Sequence, residues 1–425
     1  MEAENVYVFG GNKFLDYVNL KDFKAIIEKE LEYFEGADNF PDYYTNFIST
    51  QSKPNIYIFN KLFFEHLLYG RLTNIYIYKL ENSFPAAELF LKRVERVIDK
   101  FKVNLSIPLQ NLVTTKGFYL MDMINVSIDG ANFIAGFDYK EENGLISEAR
   151  FLFGRNVYRK KQNGDMRNEF LLSGVDINFA EKYCAILTRN TNGVTNLNET
   201  EIRNLNNINN FLKLNVLQEL SVNSDLKPKE DQEGMFKMCQ FLLGHLINDM
   251  KEKVFETTSQ EVNKSVRIFS RILTENDEKI PQSDLENIKK KIKFLLLGLF
   301  INNNYDEKDM RLKAREHDLI GYPTKISFKN TKMNRSSTGT NTAKKSIASS
   351  DVLYSLLTDF ENSNKLSKWS MSWFTDYNNK DDLDVIQTTI ESSRTAFKIT
   401  NVALRHLNKE LIQHVIRNVN EYRNY

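Results

Sequence analysis

Between Gly117 and Gly193 the chain carries four Asx-Gly dipeptides: Asp129-Gly130, Asn143-Gly144, Asn163-Gly164 and Asn192-Gly193. Such pairs supply the positive φ angles of two-residue hairpin turns at little steric cost, so they constrain the fold more tightly than any other short pattern here. Between them lie runs rich in β-branched and aromatic residues: Phe118–Ile128, Ala131–Lys140, Leu145–Phe153, Val157–Lys161, Glu169–Phe179 and Lys182–Arg189. Strand-like runs punctuated by hairpin signals predict an antiparallel meander of about five or six strands over residues 113–195.

The flanks read differently. Residues 1–112 alternate strand-like runs, Asn5–Phe9, Asn55–Phe59 and Asn74–Leu80, with helical ones, Leu15–Phe34 and Ala86–Phe101. In Ala86–Phe101 the residues Leu89, Phe90, Val94, Val97, Ile98 and Phe101 recur at helical steps opposite a charged face. This predicts a small α/β module. Residues 196–304 predict a helical domain with three stripes. The first is Ile202, Leu205, Ile208 and Leu212; the second is Met235, Met238, Leu242, Leu246, Met250 and Val254; the third is Leu285, Ile288, Ile292, Leu295 and Leu299. Residues 305–425 predict a mixed α+β region: helices Glu307–Glu316, Ser350–Phe360 and Asn408–Tyr422, with strands at Thr324–Phe328, Val385–Glu391 and Ala396–Thr400. The fold class expected for the whole is α+β.

At 425 residues two or three domains are expected, and 41% hydrophobic content is ample for their cores. A formal net charge of +1 excludes a protein that coats nucleic acid with its whole surface. Cys184 and Cys239 each sit in an apolar run and read as buried thiols of a reducing compartment. The acidic N-terminus has no secretory layout, and the longest apolar run, Phe294–Ile301, falls far short of the roughly 20 residues of a membrane span. A cytoplasmic protein with no membrane partner is expected.

Against this neutral background one segment is cationic. No Asp or Glu occurs from Leu319 to Ser350, while Lys325, Lys329, Lys332, Arg335, Lys344 and Lys345 lie among small polar residues. Residues 319–350 therefore read as a mobile cationic loop facing an anion, either a nucleic-acid backbone or an acidic protein surface, although a solvated loop has the same composition. Gly339–Ser346 does not make a phosphate-cradling loop, because Lys344 stands where the second glycine is required and no strand ends at Gly339. A second basic cluster, Arg150, Arg155, Arg159, Lys160, Lys161 and Arg167, is interleaved with Phe151, Phe153, Tyr158 and Phe170. Basic strands with exposed aromatics hold single-stranded nucleic acid, and strands with the aromatics buried show the same pattern.

Catalytic signals are sparse. Asp138-Tyr139-Lys140 resembles the carboxylate-x-lysine pair of metal-dependent nucleases, with Asp122 as the candidate second carboxylate. A two-residue turn at Asp129-Gly130 would put Asp122 and Asp138 on opposite faces unless a bulge intervenes. The five histidines, His66, His245, His317, His406 and His414, have no metal-ligand spacing to the cysteines, and no nucleophile elbow is present. Trp369 and Trp373 share a face, as buried anchors or as an interface. No motif implies a cofactor. The expectation is non-catalytic binding of DNA or RNA as one component of a cytoplasmic prokaryotic assembly. A genome-defence role is a conjecture with no residue behind it. The alternatives are a metal-dependent nuclease and a protein-interaction scaffold.

Overall fold

The computed structural model describes residues 15–81, 83–111, 113–117, 131–160, 164–192, 194, 204–273, 280–329, 335–402 and 405–423. The chain is α+β and divides into two compact units. The N-terminal unit comprises residues 1–226 and 404–416, and the C-terminal unit residues 227–403 and 417–425.

The N-terminal unit runs α1 (Leu20–Leu31), α2 (Phe40–Thr50), α3 (Lys53–Gly70), β1 (Asn74–Leu80), α4 (Ala87–Lys102), α5 (Ile107–Gln110), β2 (Asn132–Glu142), β3 (Leu145–Lys160), β4 (Met166–Asn178), β5 (Tyr183–Thr188), α6 (Leu205–Leu212) and β6 (Ser224–Asp225). Its strands are ordered β2-β3-β4-β5-β1, with β6 on β1, and every described pairing is antiparallel. The meander is thus present from β2 to β5, and β1, from the segment expected to be a separate module, pairs along β5. The β2–β3 turn is closed by Asn143 (φ 53°) and Gly144 (φ 78°), as Asx-Gly chemistry requires. The expected first strand, Phe118–Ile128, and its Asp129-Gly130 turn lie outside the described residues, as does Asn5–Phe9.

Helices cover both faces of this sheet. Phe90 and Phe101 of α4 meet Phe179 and Phe153 on one side. On the other, α3 lies so close that a Cβ on Gly136 would stand 2.7 Å from the Phe64 ring, and one on Gly174 would stand 2.1 Å from Leu68. With both faces covered, β1 and β5 are apolar almost without alternation and buried except at the half-buried Lys79.

Two expectations are corrected here. Asn55–Phe59, read as a strand, lies inside α3, which starts with Pro54 in its first turn. Its aromatic content reflects packing, since Phe59 stacks on Phe47 at 4.3 Å. Leu145–Phe153 and Val157–Lys161, read as two strands, form the single β3, whose pairing with β4 is unbroken from Glu148–Asn178 to Lys160–Met166.

The C-terminal unit holds α7 (Pro228–Leu273), α8 (Gln282–Asn304), α9 (Glu307–Glu316), β7 (Gly321–Lys329), β8 (Arg335–Gly339), α10 (Asp351–Glu361), β9 (Lys368–Phe374), β10 (Val385–Ser392) and β11 (Phe397–Asn401). The last helix, α11 (Lys409–Glu421), begins in the N-terminal unit and ends in this one. The five strands are ordered β11-β10-β9-β7-β8, all antiparallel. Ile326, Phe328, Trp369, Met371, Trp373, Ile386, Ile390, Phe397 and Ile399 form its buried face. The methionine stripe of α7 is core, as its period predicts. No helix among the described residues is long and apolar enough to cross a membrane.

Candidate functional site

The opposite face of the C-terminal sheet is polar, and two cross-strand rows define it. One runs Ser337, Ser327, Lys368, Glu391, Lys398; the next runs Gly339, Lys325, Ser370, Thr389, Thr400. Strict alternation puts them all on one side of the sheet. Lys325, Ser337 and Lys368 are exposed. An open depression of about 350 Å³ is lined by Lys325, Ser327, Ser337, Lys368, Trp369 and Ser370. Glu391 bridges Lys368 and Lys398, the latter at 3.2 Å. Burial works against the Glu391 carboxylate, but the two lysines outweigh it and hold its pKa below the ordinary value. Lys325 makes no ion pair among the described residues. Three lysines against one glutamate, beside the exposed or half-buried hydroxyls of Ser337, Thr389 and Thr400, leave a net positive field with hydroxyl donors. The two tryptophans cannot stack a base here, because both are buried on the other face, where Trp373 Nε1 donates to Thr388 at 2.8 Å.

Among its described residues, much of the cationic segment is built into strands and a bonded turn rather than an open loop. Lys325 and Lys329 lie on β7 and Arg335 on β8, with Lys329 and Arg335 in register; Lys332 lies outside the described residues. Residues 340–349 are stitched down. Hydroxyls of Tyr322 and Ser372 donate to the Ala343 carbonyl at 2.9 and 2.6 Å, and the Thr340 hydroxyl donates to the Lys345 carbonyl at 2.8 Å. Ile347 and Ala348 are fully buried. Small hydroxyl residues, read as solvent-facing, here satisfy backbone carbonyls instead. Lys344 remains exposed and Lys345 half-buried.

The basic cluster of the meander does not assemble as a surface. Arg155 is buried, and Arg159 is committed to Glu169 and to the carbonyls of Asn190 and Asn192. Arg167 pairs with Asp16 at 3.2 Å. Phe151, Phe153 and Phe170 are buried, as strand alternation predicts, while Tyr158 is 36% exposed. Lys160 is exposed and Lys161 lies outside the described residues.

Arg150 instead centres a buried polar cluster. Asp138 and Asp176 flank it across β2 and β4, and Glu65, one turn before Tyr69 on α3, reaches it from above. The guanidinium is 2.8 Å from Asp138 and 3.5 Å from Glu148, and Lys409 lies 3.0 Å from Glu65. Tyr69 and Tyr183 donate to one oxygen of Asp176 at 2.8 and 3.2 Å. Burial pushes the Asp176 carboxyl up to about 6 and also raises Asp138, against the pull of Arg150. Burial opposes ionisation of Glu65 too, but Arg150 and Lys409 outweigh it and its pKa is lowered.

This is where Asp138 goes: into an ion pair, 3% exposed. Lys140 is exposed and pairs with Glu142 at 2.6 Å. Asp122 lies outside the described residues. Register shifts fall between Ile134 and Gly136 and between Lys140 and Glu141, both relative to β3. Among the described residues no group of three His, Cys, Asp or Glu is placed to hold a metal ion; the arginine stands between the carboxylates. Glu65, Asp176 and Lys409 were not singled out from sequence, because nothing local marks residues drawn together from such distant positions.

Neither a family model nor a curated relative matches this sequence.

Proposed function

We propose that the protein is a non-catalytic nucleic-acid-binding component that meets the phosphate backbone with the lysine- and hydroxyl-bearing face of its C-terminal sheet. The observation that supports this reading is Lys325, exposed and without an ion pair among the described residues, beside Ser327, Ser337, Lys368 and Ser370 in one open depression. Ammonium groups and hydroxyl donors in rows suit phosphate oxygens, which position a nucleic acid without reading its sequence. The test is fluorescence anisotropy with a labelled duplex and a labelled single strand. Three phosphate contacts predict roughly a fortyfold loss of affinity between 50 and 200 mM salt. Lys325→Gln with Lys368→Gln is expected to weaken binding and flatten the salt slope, with thermal unfolding unchanged. Binding that ignores salt, or that survives both substitutions, overturns the reading.

A further inference from the structure

In α8 the apolar residues Leu285, Ile288, Ile292, Leu295 and Leu299 recur at alternating three- and four-residue steps, the spacing of a coiled-coil seam. A stripe of this kind is ordinarily the core side of a helix. Here the core is met by a second set, Phe294, Leu297, Gly298 and Ile301. Phe294 lies against Phe255 of α7 at 5.5 Å, and a Cβ on Gly298 would stand 2.5 Å from Tyr354 of α10. At about 100° per residue the two sets occupy opposite sides of the helix. The seam faces outward at Ile288, 39% exposed, Leu295, 47%, and Leu299, 58%, and its other two residues, Leu285 and Ile292, are half-buried.

We propose that this seam pairs two copies of the chain, α8 beside α8 in parallel, as a short two-stranded coiled coil. The period selects a helix as the occupant, since knobs every 3.5 residues need holes of the same repeat. The flanking charges select a second copy. With Leu285, Ile292 and Leu299 at a, and Ile288 and Leu295 at d, Asp284 falls at g and Lys289 at e. A parallel pair sets each g beside the e position five residues on, so Asp284 of each copy brings a second carboxylate to Lys289 of the other, which is 18% exposed and holds Glu286 of its own helix at 2.6 Å. Two heptads alone would not hold an isolated helix together, but α8 is already folded against α7 and α10 and pays no nucleation cost on pairing. Pairing is independent of the nucleic-acid reading, although two copies would present two lysine faces to one polyanion.

Sedimentation velocity of the full chain from about 1 to 100 µM is expected to show a reversible monomer–dimer equilibrium. Leu295→Glu with Leu299→Glu, both at exposed positions, should weaken association roughly a hundredfold and leave thermal unfolding of the monomer unchanged. Asp284→Lys or Lys289→Asp alone should weaken it, and the two together should restore it. Both native cysteines are buried, so Ile292→Cys with a mild oxidant should give a disulfide-linked dimer, because a positions face each other only in the parallel register. A chain that stays monomeric throughout, a dimer indifferent to Leu295→Glu with Leu299→Glu, or a charge swap that fails to restore pairing would each overturn the proposal.

Discussion

Asp176 is a carboxyl held where its charge is disfavoured. It is fully buried, one oxygen accepts two tyrosine hydroxyls, and Arg150 does not fully offset its loss of hydration. Its pKa is raised from 3.8 to about 6, so the folded chain holds this proton more tightly than the unfolded chain does. The stability that comes from the protonated acid is complete below pH 3.8 and is lost as pH rises through 6. A displacement of that size corresponds to about 3 kcal/mol. Asp176→Asn should therefore gain on the parent by up to that amount between pH 4 and 7, read from urea midpoints across the range. Glu65 moves the other way, its contribution being lost as pH falls, but it is common to both proteins and cancels in the difference. Parallel pH curves for the two proteins would show that Asp176 is already ionised against Arg150. None of this was legible from Asp138-Tyr139-Lys140, because the residues that determine the fate of Asp138 sit on other elements.

Helix α7 shows how one residue type acquires opposite meanings along a single element. A Cβ on Gly234 would stand 1.9 Å from the Tyr422 carbonyl, whereas one on Gly244 would meet nothing within 4 Å. Gly234 lets the C-terminal segment lie against the helix, where Arg423 donates to Asp231 at 2.7 Å and covers the Phe397 ring at 3.9 Å. Gly234→Ala should push that segment away and destabilise the C-terminal unit by about 2–3 kcal/mol, through overpacking and a disturbed buried ion pair. Gly244→Ala should stabilise the same helix by roughly 0.5–1 kcal/mol, since it removes only backbone freedom. Denaturant unfolding of the two variants checks the sign. The helical period of α7 was plain in the sequence, and so was its methionine stripe. Which glycine faces a backbone could not be read from period alone.

For the molecule as a whole, the closing segment is shared between the two units. Residues 404–416 belong with the N-terminal unit and residues 417–425 with the C-terminal one. In the first, Lys409 pairs with Glu65, the Leu407 amide donates to the Gly70 carbonyl at 3.0 Å, and His406 Nε2 lies 2.9 Å from the Tyr17 carbonyl. In the second, Arg423 donates to Asp231. A chain ending at Ile416 should lose stability in the C-terminal unit alone, and one ending at Val402 should lose it in both. Calorimetry of the three lengths separates these outcomes. Equal losses from both truncations would show that the closing segment serves one unit only.

Sequence alone determined the features that act within a few residues. Asn143-Gly144 makes a hairpin wherever it stands, because its backbone angles are set by its own atoms. The periods of α4, α7 and α8 specify helices for the same local reason, and the α+β class follows from those helices together with the strands. Tertiary structure decided which face each element shows. Arg150 meets Glu65 across 85 positions, and Tyr69 meets Asp176 across 107. No local pattern encodes encounters of that range. Arg150 and Arg155 of β3 are turned inward, the segment after β8 is tied down by the hydroxyls of Tyr322, Thr340 and Ser372, and the apolar seam of α8 is left on the outer side because a different set of its residues meets α7 and α10. Composition records what a side chain prefers, and burial of the surrounding sheet and helices settles which of those preferences is satisfied.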